Sequence, residues 1–234
     1  MISDNSEVMV MSSLSEQFRA LEAERAKSWS PEALRVNREQ RERLVAELGD
    51  RRRVQVGDAI GQATLIDVAD GAVALDRLHA DGPLVLIFFR FAGCPACNIA
   101  LPHYDRELAP GVRARGARLV AISPQVPERL VEIRERHGLS FAVASDPGNA
   151  LAARLGVTYE YDEASRAAAI AAGRPIGDVT GTGTWELPMP SVLVVDREGI
   201  VRFADISPDW VDRTEAGPIL ATLDALATGD RKVA

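Results

Sequence analysis

From Val54 onward, short apolar runs rich in β-branched residues alternate with stretches of helical periodicity. A sheet carrying helices on its faces produces this pattern. Residues 63–68 and 72–74 flank the turn Ala69-Asp70-Gly71 and predict a hairpin. Residues 84–89 form an almost unbroken apolar run, suited to a central strand covered on both sides. A helix is expected from about Cys94, a strand over 119–122, a helix over 127–137, a strand over 141–144 and a short helix over 147–155. Residues 191–195 and 200–205 read as an antiparallel hairpin across Asp196-Arg197-Glu198-Gly199, followed by a closing helix over 214–227. The expected total is five to seven strands. The segment 158–187 interrupts the alternation with an Ala-rich helix from about Glu160 to Ala172 and a Gly- and Thr-rich loop over 177–185. It reads as an insertion that either decorates the surface or walls a site.

The first 53 residues have a different texture, with Arg and Glu around sparse apolar positions. Leu14, Phe18 and Leu21 recur at helical spacing. Ser30 and Pro31 read as the N-cap and first position of a second helix carrying Leu34, Leu44, Val45 and Leu48, ended by Gly49. Stripes this narrow do not fold alone, so a helical extension over 1–53 must pack on the domain over 54–234 or on another subunit of a homodimer.

Composition narrows the function. Of 234 residues, 47% are hydrophobic, enough for a sizeable core. No run approaches the roughly 18 apolar residues a membrane-spanning helix needs, so no membrane partner is expected. The formal net charge of -7 disfavours nucleic acid. Asp4, Glu7 and Glu16 lie where a secretory leader would carry basic and apolar residues, so the expected location is cytoplasmic.

Both cysteines of the chain stand together as Cys94-Pro95-Ala96-Cys97, at a strand-to-helix turn. At i and i+3 on the first turn of a helix, two Cα atoms lie roughly 5 to 6 Å apart, within disulfide range. Cys94 falls at the N-cap and Pro95 at the first helical position, where the missing N–H costs nothing. The unpaired amides and the helix dipole then favour the Cys94 thiolate. Cys97, one turn in and more covered, is the second thiol. Zinc would need further ligands, and His79, His103 and His137 supply no metal-binding spacing; neither a metal nor another cofactor is expected. His103 reads as a solvent-facing helix residue, and His137 as a helix terminus where the dipole favours imidazolium. Trp185 either walls the cleft or is simply buried.

The run Phe88-Phe89-Arg90-Phe91-Ala92-Gly93-Cys94-Pro95-Ala96-Cys97 resembles the active-site turn of the thioredoxin superfamily. Pro102, five residues after Cys97, resembles the kink proline of that helix, and Pro190 occupies the place of the cis-proline that faces the cysteines. Val56 through Cys97 and the tail from Pro190 to Phe203, with Ser207-Pro208-Asp209, resemble the peroxiredoxin-like branch, the alkyl hydroperoxide reductase and thiol-specific antioxidant family. The resemblance implies a thioredoxin-like α/β fold of peroxiredoxin type, with a central mixed sheet between helical layers. It also implies Cys94 as attacking thiolate, Cys97 as resolving thiol, and Gly93, Pro95 and Pro190 as support.

The departures fall on peroxide chemistry. Where the family carries a threonine and a proline before the cysteine, this chain has Phe91 and Ile87, and the family's later arginine aligns near Pro190. Arg90 stands either as a substitute cation or as a surface residue in an ion pair. Three functions therefore stay open. The first is hydroperoxide reduction through an intramolecular disulfide, restored by thioredoxin, glutaredoxin or a low-molecular-weight thiol. The second is exchange with a protein or small-molecule disulfide. The third is a regulatory module that senses redox state.

Overall fold

The structure is a computed structural model that describes residues 12–49 and 51–229; residues 1–11, 50 and 230–234, parts of both expected segments, lie outside it. Seven strands form one mixed sheet: β1 (Thr64–Asp67), β2 (Gly71–Ala74), β3 (Leu84–Phe88), β4 (Arg118–Ser123), β5 (Ala142–Ser145), β8 (Ser191–Val195) and β9 (Val201–Ile206), in the order β2-β1-β5-β4-β3-β8-β9. β3, β4 and β5 run parallel, while β8 and β1 pair antiparallel with β3 and β5. β3 lies between β4 and β8 with all five residues buried, which explains its lack of polar alternation.

The pleat sorts the core. Val85 and Ile87 point to one face, with Ala121 and Val192 from neighbouring strands; Leu84, Leu86 and Phe88 point to the other, with Ile122 and Leu193. The first face is covered by α4 (Pro95–Glu107), α5 (Ala109–Ala114), α6 (Pro127–His137) and α10 (Ala216–Ala227). On the second face lie α3 (Leu75–His79), a short helix not foreseen in the sequence, and α7 (Ala150–Arg154).

The extension forms α1 (Leu14–Ser28) and α2 (Pro31–Leu48). Ser13 and Glu16 close a reciprocal cap on α1, and Ser30 caps α2 ahead of Pro31. Leu14, Phe18 and Leu44 are at most 2% exposed and belong to the same apolar cluster as the two cysteines, so their cover comes from this chain's own core. The buried row of α2 is Val36, Gln40 and Leu44; Val45 is 52% exposed, against its expected place in the stripe. The sequence pattern misled because a polar residue, Gln40, holds the middle of the buried face.

Residues 158–187 contain more structure than expected. β6 (Thr158–Glu160) and β7 (Glu186–Pro188) pair as a separate two-stranded sheet, with α8 (Glu163–Ala171) and α9 (Ile176–Thr180) between them. α9 replaces the first part of the expected loop, its turn closed by the Thr180 hydroxyl donating to the Ile176 carbonyl at 2.8 Å. The added β6–β7 pair brings the described strands to nine, above the expected range.

Candidate active site

The site lies beyond the carboxyl end of β3, the edge where parallel strands leave room for a ligand. Residues 90–93 turn the chain into α4, with Cys94 as its N-cap and Pro95 as its first residue. Three side chains, from β4, the loop after it and α4, hold this turn. The Ala92 N–H donates to Gln125 Oε1 at 2.7 Å, the Ser123 hydroxyl donates to the Arg90 carbonyl at 3.0 Å, and Asn98 Nδ2 donates to the Ala92 and Cys94 carbonyls at 2.7 and 2.9 Å. Asn98 Oδ1 in turn accepts from Arg136 at 2.9 Å and lies 2.8 Å from His137 Nε2. α4 runs through Pro102 without ending.

Both cysteines are free thiols, and both are 1% exposed. The expected contrast in cover is therefore absent: both cysteines belong to one buried cluster that also takes in Tyr159 and Leu187 of the insertion. Gly93 and Pro95, on either side of Cys94, are exposed. A Cβ on Gly93 would meet the Phe91 ring at 3.5 Å, an ordinary contact, and its φ is not positive, so the turn does not require glycine.

The two thiols differ electrostatically. The Cys97 thiol, hydrogen-bonding to the Cys94 sulfur, and then the Arg90 charge hold Cys94 well below the ordinary thiol pKa, against the effect of burial. Burial, and then Cys94 itself, pushes Cys97 well above that range. The backbone N–H of Cys97, in the first turn of α4, adds to the same effect, so the helix start favours the thiolate as expected but ranks behind the neighbouring thiol and the cation.

Arg90 is 7% exposed and is no surface residue. Its Nη1 lies 3.9 Å from Cys94 Sγ and its Nη2 donates to the Tyr161 hydroxyl. The guanidinium stands 4.6 Å over the Trp210 ring, with Phe91 and Tyr161 at 5.5 and 5.6 Å. Burial raises the pKa of Tyr159 and Tyr161, so both phenols are neutral beside it. Among the described residues, Arg90 Nε has no hydrogen-bond partner.

Pro190 borders a small buried space beside Cys97 and Arg213. Its preceding peptide bond is trans, contrary to the cis bond the resemblance implies. The chain is held extended there, with Met189 N–H donating to the Val157 carbonyl at 2.7 Å and the Pro190 carbonyl accepting from Ser207 N–H at 2.8 Å. His103 is 4% exposed rather than solvent-facing: α1 and α10 cover it, with Nδ1 2.9 Å from Gln17 Nε2 and Nε2 3.8 Å from Glu215. Burial, and then Arg136, lowers the pKa of His137, so the imidazolium expected there is disfavoured. Trp185 is partly buried, 6.1 Å from Tyr161.

Tyr159 stacks between Tyr161 and Trp210, at centroid distances of 6.2 and 6.0 Å, and Arg90 lies over the two outer rings. The sequence reading missed all three, together with Gln125, Asn98 and Arg213, because they come from separate elements. The Thr-Tyr-Glu-Tyr run at 158–161, which alternates about two tyrosines, was the one available signal.

The fold has known counterparts. BcpB, a peroxidoxin from Mycobacterium tuberculosis, superposes with a TM-score of 0.58 at 23% identity, covering 74% of this chain and 99% of that one. Reduced Prx3 from Vibrio vulnificus, crystallised with hydrogen peroxide, gives 0.58 at 20% identity, covering 73% and 99%. A putative protein disulfide isomerase from Bacteroides thetaiotaomicron gives 0.52 at 15% identity, covering 75% and 91%. At these identities the likeness concerns the fold, which is thioredoxin-like and of peroxiredoxin type. No curated protein matches the sequence. The AhpC/TSA family pattern matches residues 56–204, more than half of the sequence, from before the cysteine turn through the insertion and β8 into β9, and the chain belongs to that family.

Proposed function

We propose that Cys94 is the peroxidatic thiolate of a thiol peroxidase and Cys97 its resolving thiol. The family makes the chain a thiol-dependent oxidoreductase. The observation that carries the finer reading is the buried Arg90 guanidinium, whose polar partners are Cys94 Sγ and the neutral Tyr161 rather than a carboxylate. The Cys94 thiolate attacks the terminal oxygen of a hydroperoxide, the O–O bond breaks, and the leaving alkoxide or hydroxide takes up a proton, giving a sulfenic acid and an alcohol or water. Arg90 stabilises the negative charge passing from sulfur to the leaving oxygen, taking the place of the arginine that the family resemblance would put near Pro190. The Cys97 thiol, one helical turn away, then attacks the Cys94 sulfur, expelling water and closing a disulfide. Thioredoxin, glutaredoxin or a small thiol returns two electrons and two protons, which suits a reducing cytoplasm. Gly93 and Pro95 form the turn on either side of the buried Cys94, and Pro190 borders the resolving thiol.

A second reading, disulfide exchange, rests on the same dithiol and on the likeness to the Bacteroides fold. Stopped-flow on the reduced protein, mixed with hydrogen peroxide, an organic hydroperoxide or a protein disulfide, separates the two. The peroxidase reading expects hydroperoxide to oxidise Cys94 faster than it oxidises a free thiol at equal thiolate fraction, with Cys97→Ser trapping a sulfenic acid. Fast disulfide reduction with peroxide oxidation at the free-thiol rate would transfer the assignment to exchange.

A further inference from the structure

A cavity of about 450 Å³ lies between α2 and α8 and reaches Arg90 of the site just described. Its walls include Trp29, Val36, Ala169, Tyr161 and Trp210, and its polar lining includes Gln40 and Arg90. Of the lining residues only Arg90 is charged. Gln40 is 1% exposed; its Oε1 accepts the Asp162 N–H at 2.7 Å, while its Nε2 has no partner among the described residues. Arg90 Nε, also buried, has none. Two buried donors without acceptors, one of them cationic, beside apolar and aromatic surface, are complementary to an acceptor-only head on an apolar body. A buried unpartnered donor costs on the order of 1–3 kcal/mol, and more for a charged one, so an occupant that satisfies both is favoured.

We propose that this cavity binds a small organic monoanion, such as an aryl or alkyl carboxylate, with its carboxylate on Arg90 and Gln40, and that it binds more tightly when Cys94 is in the disulfide than when it is a thiolate. The second half follows from the first. Arg90 has one polar anionic neighbour, the Cys94 sulfur. Disulfide formation removes that negative charge and leaves the guanidinium buried without a counterion, a costly state. An incoming carboxylate then replaces the lost charge, whereas in the reduced protein it meets the thiolate across the same guanidinium. By linkage, the ligand stabilises the disulfide by the factor with which it prefers that form. The inference needs Cys94 and Cys97 to cycle between dithiol and disulfide and does not depend on whether peroxide or a disulfide oxidises them.

The test titrates 3-phenylpropionate and its neutral isostere 3-phenylpropionamide into oxidised and reduced protein at pH 8, followed by calorimetry and by fluorescence of Trp29 and Trp210. Expected is saturable binding of the carboxylate at one site, about tenfold tighter to the oxidised form, a typical coupling between two sites. The amide should bind weakly to both forms, and the dithiol–disulfide equilibrium against dithiothreitol should shift towards disulfide by the same factor. Gln40→Leu should weaken carboxylate binding. Ala169→Phe fills the cavity from α8, a helix with no buried residue, and should abolish binding while thiol oxidation keeps its rate. Saturable binding absent from both forms would mean that water satisfies the two donors and would overturn the proposal. Equal affinity for amide and carboxylate, binding undisturbed by Ala169→Phe, or no preference between redox forms would each overturn it as well. Failure of peroxide turnover with these results intact would count against the peroxidase reading alone.

Discussion

Arg90 shows how one side chain takes its meaning from its surroundings. Four residues before Cys94 in sequence, it becomes a buried cation held between an aromatic row and a sulfur. Its charge supports the Cys94 thiolate, so the pH profile of alkylation should report it. In the intact protein the iodoacetamide rate at Cys94 should stay high well below about pH 8.5, the value of a free thiol. Arg90→Met removes the charge but keeps much of the volume, and the midpoint should move up towards that value. Hydroperoxide reduction should fall by about 10²- to 10³-fold, the usual loss for one charge-stabilising donor. An unchanged profile would assign the low pKa to Cys97 alone. Phe91, where the family carries a threonine, leaves the thiolate without a hydroxyl to align the peroxide, so the starting rate should itself be modest for the family.

Among the elements, α1 is joined to the domain by a titratable contact. Phe18 lies in the core below Arg213, and Gln17 meets the buried His103 of α4, which faces Glu215 at the start of α10. Burial lowers the His103 pKa, opposed by Glu215 and Glu107 and helped by Arg106. The unfolded chain therefore takes up this proton more readily than the folded one. As pH falls through the unfolded value, about 6.5, the native state loses stability down to the lower folded value, and the loss then levels off. His103→Gln removes this titration while keeping a polar partner for Gln17. Its Tm should decline less between pH 7 and pH 5 than that of the parent protein, as calorimetric scans would measure. Equal slopes would place the acid sensitivity elsewhere, His137 being the other histidine with a lowered pKa.

For the whole molecule, the consequence concerns the first two helices. Leu14, Phe18 and Leu44 share a cluster with Cys94 and Cys97, and each fully buried side chain of this kind contributes about 1.5 to 3 kcal/mol. Deleting residues 1–53 should therefore lower the Tm markedly and expose an apolar patch, visible as dye binding or a change in sedimentation. It also removes Gln40 and the α2 wall of the cavity, so the thiols should alkylate faster in the native state. A truncated protein with the same Tm and thiol accessibility would refute this integration. The peroxidase assignment belongs to this scale too: a single turnover with peroxide should lower the intact mass by two hydrogens through one disulfide, and recovery of two free thiols after oxidation and unfolding would exclude it.

The alternation of apolar strands with helices, the N-cap placement of Cys94 before Pro95 and the two capped helices of the extension were legible because each depends on neighbours within a few residues. Ser30 and Pro31 mark a helix start wherever they stand, and the unbroken run through β3 requires cover on both faces. The trans bond before Pro190, the burial of His103 and the inward turn of Gln40 were not legible, because they depend on which elements meet. The active-site surroundings followed the same division. The sequence determined the dithiol, its spacing and its position at the strand-to-helix turn. Tertiary structure decided what faces it, bringing Arg90, Tyr159 and Tyr161 of the insertion, Trp210 beyond β9 and Gln40 of α2 to one place. Local patterns record backbone preference and the side on which a residue is buried; the charge balance of a buried site is set by groups distant in the chain.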